Sequence, residues 1–139
     1  MASPSQALFV DTSAWVALLH RRDQAHARAA RLWPAIRAGR RELVTTDVVL
    51  AETHTLLLHR LGSEAALGFL DRLLFRRHQR IVWADADLAL AATERWLRPR
   101  PAQPLTFTDA VSFETMRREG IREAFAFDQD FVQAGFELL

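Results

Sequence analysis

The sequence contains no cysteine, no lysine and no tyrosine. Without cysteine there can be no disulfide framework, no thiolate zinc site and no cysteine nucleophile. All eighteen basic residues are therefore arginine. A Walker A phosphate loop needs its lysine, as does a Schiff-base enzyme, and two-component receivers and haloacid-dehalogenase-type phosphatases depend on one as well. Those classes are excluded. Glycine and proline are also scarce, five of each in 139 residues, which excludes collagen-like and low-complexity chains. No apolar run approaches the roughly 20 residues of a spanning helix. The opening Met-Ala-Ser-Pro-Ser-Gln lacks the basic n-region of a signal peptide. The expectation is a cytoplasmic protein without a membrane partner.

Half of the residues are hydrophobic and a quarter charged, with a net charge of +1. A chain of this length is expected to form a single domain over 1–139, with one core that buries roughly 70% of the unfolded surface. A net charge near zero does not describe a uniformly basic coat that binds nucleic acid by bulk electrostatics. The arginines do cluster, at Arg21-Arg22, Arg40-Arg41, Arg76-Arg77 with Arg80, and Arg117-Arg118 with Arg122. Each cluster reads either as a solvated helix end or as a bidentate phosphate contact.

Ala7-Leu8-Phe9-Val10 is a continuous apolar run closed by Asp11, the pattern of a buried strand. Helices are predicted over Thr12–His20 and Gln24–Ala38, the second kinked or restarted at Pro34 and stopped by Gly39. Glu42–Thr46 reads as a strand, Val48–Leu61 as a helix capped by Thr46 or Asp47 and ended by Gly62. A helix from Glu64 to about Phe75, opened by Ser63, precedes a strand at Arg80–Trp83. Asp85 then caps a helix through Arg98, and the proline-dense Pro99–Pro104 is a loop. Thr106 or Thr108 caps a helix to about Glu119, with Gly120 as its stop. Glu123–Phe127 and Phe136–Leu139 complete the strands. Short apolar strands alternating with helices predict a mainly parallel sheet with helices on both faces.

Four acids stand out by position. Asp11 ends the first strand, where ligands of open parallel sheets bind; it reads equally as the N-cap of the next helix. Glu52 falls with Val48, Val49, Leu56 and His59 at helical spacing and so interrupts a stripe expected to face the core. A carboxylate there needs an arginine, a cation or a proton, because an unpaired buried charge costs several kcal/mol. Asp109 resembles the acid of a capping box with Thr106, yet it also aligns with the inward-facing Phe113 and Met116. Asp128 repeats the pattern of Asp11, immediately after an apolar strand. Asp130 reads first as a cap of the following turn and second as a ligand.

If the four converge, carboxylates about 5 Å apart repel by roughly 3 kcal/mol per pair at an effective dielectric near 20, a large share of a domain's ~5–15 kcal/mol. Such a cluster requires a neutralising cation. Oxygen-only ligands select a hard ion, Mg²⁺ or Mn²⁺, whose natural chemistry here is phosphodiester hydrolysis. The five histidines show no zinc-hydrolase spacing, and His20, His26 and His78 read as surface residues. Ser13 and Ser112 have no elbow motif, which argues against a serine hydrolase.

Phe9-Val10-Asp11-Thr12-Ser13-Ala14-Trp15, Ala51-Glu52, Leu105-Thr106-Phe107-Thr108-Asp109-Ala110 and Ala126-Phe127-Asp128-Gln129-Asp130-Phe131, in this order, resemble the motifs of the PIN-domain nucleases, most closely the stand-alone VapC-type toxins of toxin–antitoxin pairs. The resemblance covers about Ala7 to the C-terminus. It implies a three-layer α/β/α fold with a parallel sheet of four or five strands and a metal-dependent endoribonuclease acting on RNA. By motif position Asp11 and Asp109 would be the principal Mg²⁺ or Mn²⁺ ligands, Glu52 would complete the site, and Asp128 would be the fourth acid. The resemblance further implies a homodimer silenced by a cognate antitoxin protein. The alternatives are a housekeeping or DNA-processing nuclease of the same fold without antitoxin, and a non-catalytic binding module whose acids cap helices and pair with arginines.

Overall fold

Residues Ala7 to Val10 are all buried, consecutive positions rather than alternate ones, as expected of a strand covered on both faces. In the computed structural model, which describes residues 5–76 and 78–139, they form β1 (Ser5–Val10) at the centre of a five-stranded, wholly parallel sheet of order β3-β2-β1-β4-β5. The other strands are β2 (Leu43–Thr46), β3 (Arg80–Val82), β4 (Ile121–Phe125) and β5 (Glu137–Leu138). Helices α1 (Thr12–Leu19) and α2 (His26–Ala38) join β1 to β2, and α3 (Asp47–Leu61) and α4 (Ser63–Leu74) join β2 to β3. A return crossover through α5 (Ala86–Ala92), a π-helical turn (Thr93–Leu97) and α6 (Phe107–Glu119) reaches β4, and α7 (Asp130–Gln133) leads to β5.

The strand order has a physical consequence. From β1 the chain moves outward to β2 and β3, then crosses back to β4 and continues the other way to β5. Since parallel crossovers are right-handed, the reversal puts α1–α4 on one face and α5–α7 on the other. The three-layer α/β/α architecture follows. Alternate strand residues feed the two faces: Phe125 stacks on Trp33, which meets Trp15 and through it Phe69, whereas Phe9 packs on Phe131 and Phe113 beyond it. The reversal also opens a crevice outside the carboxyl ends of β1 and β4, the position where such sheets bind ligands.

Several element boundaries differ from the sequence expectation. β4 spans Ile121–Phe125 rather than Glu123–Phe127, because its register is set by β1: Val10 pairs with Phe125, and the Asp11 N–H donates to the Phe125 carbonyl, 3.1 Å. Asp128 thus lies three residues beyond the strand, not directly after it. Pro34 does not restart α2, which runs unbroken from His26 to Ala38 with Gly39 as its C-cap; Ala30, whose carbonyl loses its helical partner, is exposed and can be solvated. Helix α5 gives way to the π-turn instead of continuing regularly to Arg98. Thr46, Asp85 and Thr106 do act as caps, accepting from the N–H groups of Val49, Leu88 and Asp109. Met1–Pro4 and Arg77, a member of one arginine cluster, lie outside the described residues. Among the described residues no helix is long and apolar enough to cross a membrane.

Candidate active site

Asp11 is the first residue after β1 and the N-cap of α1, so both readings of this position hold at once. Its Oδ2 accepts from the Ser13 N–H at 3.2 Å and the Ser13 hydroxyl at 2.7 Å. The residue is only 5% exposed. Burial pushes its carboxyl up to about 6, against the opposing pull of the Ser13 hydrogen bonds, and the nearby Asp109 charge adds to the rise. The fold has desolvated this acid, and among the described residues no ion pair offsets the cost.

Ser13 does more than hold Asp11. Its hydroxyl oxygen also accepts from the Phe127 N–H at 2.9 Å, tying the segment after β4 to the start of α1 where the sheet ladder has ended. Replacing Ser13 by alanine leaves that half-buried N–H unpaired, which is expected to cost about 1–2 kcal/mol. Urea denaturation of Ser13→Ala measures this; an unchanged midpoint would mean that solvent substitutes for the hydroxyl.

Asp109 also combines the two roles open to it. It closes the capping box of α6, its Oδ2 accepting from the Thr106 N–H at 3.1 Å while its own N–H donates to Thr106 Oγ1 at 3.1 Å. Burial raises its carboxyl; the Thr106 bonds oppose this, and the charges of Asp128 and Glu52 add to it. All four predicted acids are near enough for their charges to act on one another, Asp109 on Asp11 and Asp128 and Glu52 on Asp109. They line one open pocket of about 410 Å³ outside the crevice between β1 and β4. Glu52 reaches it from the border of the buried face of α3. That face is Val49, Leu50, Thr53 and Leu57, one position removed from the stripe expected from sequence, and Glu52 is half-buried beside it. Among the described residues Glu52 forms no ion pair with an arginine; Arg60, the arginine that lines the pocket, pairs with Asp23 instead.

Asp130 joins the group. One carboxylate oxygen each from Asp109, Asp128 and Asp130 lies within 4.8 Å of the others. The N-cap of α7 is Gln129, and Asp128 Oδ1, one residue earlier, accepts from the Asp130 N–H at 2.9 Å, so Asp130 is not the capping residue. Burial and the Asp128 charge push the Asp130 carboxyl up.

The donor set is all oxygen, carboxylates and the hydroxyl of Thr12. That hydroxyl, in a residue that lines the pocket, is buried without a partner among the described residues. Such a set fits a hard divalent ion of the Mg²⁺ or Mn²⁺ kind. Sequence reading did not single out Asp23, Gln24 or Arg60, which also line the pocket; they come from the α1–α2 connection and the far end of α3, and no motif spacing links them to the acids. Two histidines expected at the surface are half-buried instead: His26 hydrogen-bonds the Ala17 carbonyl through Nδ1 at 2.7 Å, and His20 Nδ1 is buried.

Comparison with known proteins places the chain and its fold. The chain is 42% identical over 130 residues to the 23S rRNA-specific endonuclease VapC20 of Mycobacterium tuberculosis, covering 93% of this chain and 95% of that protein. The crystal structure of Mycobacterium tuberculosis VapC20, described as a sarcin–ricin loop cleaving toxin, superimposes with a TM-score of 0.84 at 39% identity, covering 94% and 96% of the two chains. FitAcB from Neisseria gonorrhoeae shares the fold at 14% identity, with a TM-score of 0.67 and coverage of 95% and 96%. The family model for the PIN domain matches residues 8–137, a span that includes every acid of the pocket, and the chain belongs to the PIN domain family.

Proposed function

We propose that this protein is a metal-dependent endoribonuclease that hydrolyses phosphodiester bonds in RNA, and that it acts as the toxin of a toxin–antitoxin pair. The observation that carries the reading is the meeting of Asp11, Glu52, Asp109 and Asp128 in one pocket, in a chain closely related to an rRNA endonuclease. Asp11 and Asp109 are the principal metal ligands in this reading, with Glu52 and Asp128 completing the set and Asp130 beside them. A bound Mg²⁺ or Mn²⁺ would supply a water of lowered pKa and stabilise charge on the phosphate.

The chain's own residues provide the rest. Ser13 holds the Asp11 carboxylate through two hydrogen bonds, and Thr106 fixes Asp109 by closing the capping box, so both acids are preorganised on the ends of regular elements. Thr12 presents its hydroxyl beside Asp11. An antitoxin that covers the pocket, a homodimer of a single-domain chain, and action in the cytoplasm belong to the same reading.

The test is cleavage of 23S rRNA, or of a synthetic stem–loop carrying the sarcin–ricin sequence, with Mg²⁺, with Mn²⁺ and with a chelator. Cleavage that requires the ion and falls about 10²-fold or more in Asp109→Asn is the expected result. Equal cleavage by that variant, or cleavage indifferent to the chelator, would overturn the reading. Induction of the gene with and without its neighbouring reading frame tests the toxin role, and growth arrest relieved by the neighbour is the expected outcome.

A further inference from the structure

The acids of the pocket leave one requirement of an RNA nuclease unmet. Asp11, Asp23, Glu52, Asp109 and Asp128 all line it, and Arg60 is the one basic side chain that does so among the described residues. A divalent ion at the acids can neutralise them, but a strand lying across the pocket carries further phosphates that this ion does not reach.

Arg60 is placed and equipped for one of them. It stands eight residues beyond Glu52 on α3, about 12 Å along the axis, and its ion pair with Asp23 turns the guanidinium toward the α1–α2 side of the pocket rather than onto the four acids. Its partner is Asp23, on the connection between α1 and α2, at 3.9 Å. No hydrogen bond joins the two, and the other Asp23 oxygen already accepts from the Ala25 N–H at 2.9 Å. Arg41, Arg80, Arg98, Arg117 and Arg118 donate hydrogen bonds within the protein, and of the described arginines that do not, Arg60 alone lines this pocket. Arg60 has a guanidinium held over the pocket with its donors unused, and a planar fork of that kind matches a phosphate bidentately.

We infer that Arg60 is a positioning residue that binds a phosphate flanking the scissile one, with Asp23 holding the guanidinium in place until the RNA arrives. The inference rests on the nuclease reading above. Because a half-exposed ion pair at this distance contributes about 0–1 kcal/mol to stability, Arg60 can be replaced without loss of the fold, and thermal melting of each variant checks this.

The experiment is steady-state cleavage of the sarcin–ricin stem–loop RNA in Mn²⁺ at several salt concentrations, using the full chain. Arg60→Ala is expected to raise KM about tenfold, the loss of one charge-assisted contact, with kcat within about twofold of wild type. Arg60→Lys should recover part of the loss. The slope of log(kcat/KM) against log salt should be shallower by about 0.7 in Arg60→Ala, one phosphate contact on a single strand. Arg98→Ala, which removes an exposed arginine paired with Glu94 on the π-turn side of the molecule, should leave both quantities unchanged. If wild type cleaves and Arg60→Ala keeps its KM and salt slope, the inference fails alone. A fall in kcat with KM intact also overturns it, because Arg60 would then act on the chemical step. If wild type neither cleaves nor binds the RNA, the nuclease reading fails and takes this one with it. Should Arg60→Ala melt early, Arg60→Gln, which keeps the stem, provides the same comparison.

Discussion

Asp11→Asn is expected to make the metal-free protein more stable at neutral pH and at the same time to abolish cleavage. The Asp11 carboxyl is pushed up to about 6 from the ordinary 3.8, chiefly by burial. The unfolded chain releases this proton near pH 4 and the folded chain holds it until about 6. The contribution of the group is therefore most favourable below pH 4, declines between 4 and 6, and remains a cost of about 2–3 kcal/mol above that. Asparagine carries no charge to desolvate, is a good N-cap, and can accept from Ser13 as the carboxylate does. A gain of about 1–2 kcal/mol, or roughly 5 °C in melting temperature, should appear at pH 7 without metal and shrink toward zero at pH 4. Addition of Mn²⁺ should stabilise the wild type and leave the variant where it was. A variant that melts below wild type at pH 7 without metal would show that the Asp11 charge is already compensated inside the protein.

Glu114→Gln is expected to show the opposite dependence on pH. This residue of α6 is fully buried and gathers the Arg95, Arg117 and Arg118 guanidiniums together with the Trp96 indole N–H. Arg95 and Trp96 are neighbours on the π-turn, whose wider turn lets both reach the same carboxylate. The Arg117 hydrogen bonds, opposed by burial and aided by Trp96 and Arg118, hold the Glu114 carboxyl down at about 2, against an ordinary 4.5. The stabilisation is present above pH 4.5 and lost as the pH falls toward 2. Because the three guanidiniums are 40–52% exposed and screened by water, the expected contribution is about 1–2 kcal/mol rather than the full shift. Glutamine adds an amide N–H₂ facing those cations, so the loss at pH 7 should be about 2–4 kcal/mol. Denaturation at pH 7 and pH 3 measures both, and the difference between the two proteins should be smaller at the lower pH. Equal stability at pH 7 would mean that the network contributes nothing net.

These two acids illustrate what was legible before folding was considered. Asp11 was found because it closes a continuous apolar run, a pattern that places it at the ligand-binding edge of any parallel sheet. Glu114 was missed because its partners Arg95 and Trp96 lie on a different helix, and nothing in the spacing of α6 distinguishes a buried glutamate from an exposed one. The buried Glu–Arg pairing that helical spacing allows at Glu52 exists instead at Glu114. The half-burial of Glu52 depends on a helix face rotated by one residue, and helical periodicity over a short apolar stretch does not resolve that. Arg60 had no local signal of any kind.

The alternation of apolar strands with capped helices, the absence of lysine and cysteine, and four acids at motif spacing were properties of the chain alone. They determined an α/β fold with a parallel sheet and an oxygen-only set of candidate ligands, because strand burial, capping and ligand type are each decided by a few neighbouring residues or by composition. The strand order was decided only in three dimensions. Its reversal between β1 and β4 sets the register that ends β4 at Phe125, opens the crevice, and brings Asp11, Glu52, Asp109 and Asp128 from four separate segments to one pocket. Convergence of this kind depends on long-range packing, where the loss of chain entropy is offset by burial on both faces of the sheet at once, and no local pattern records it.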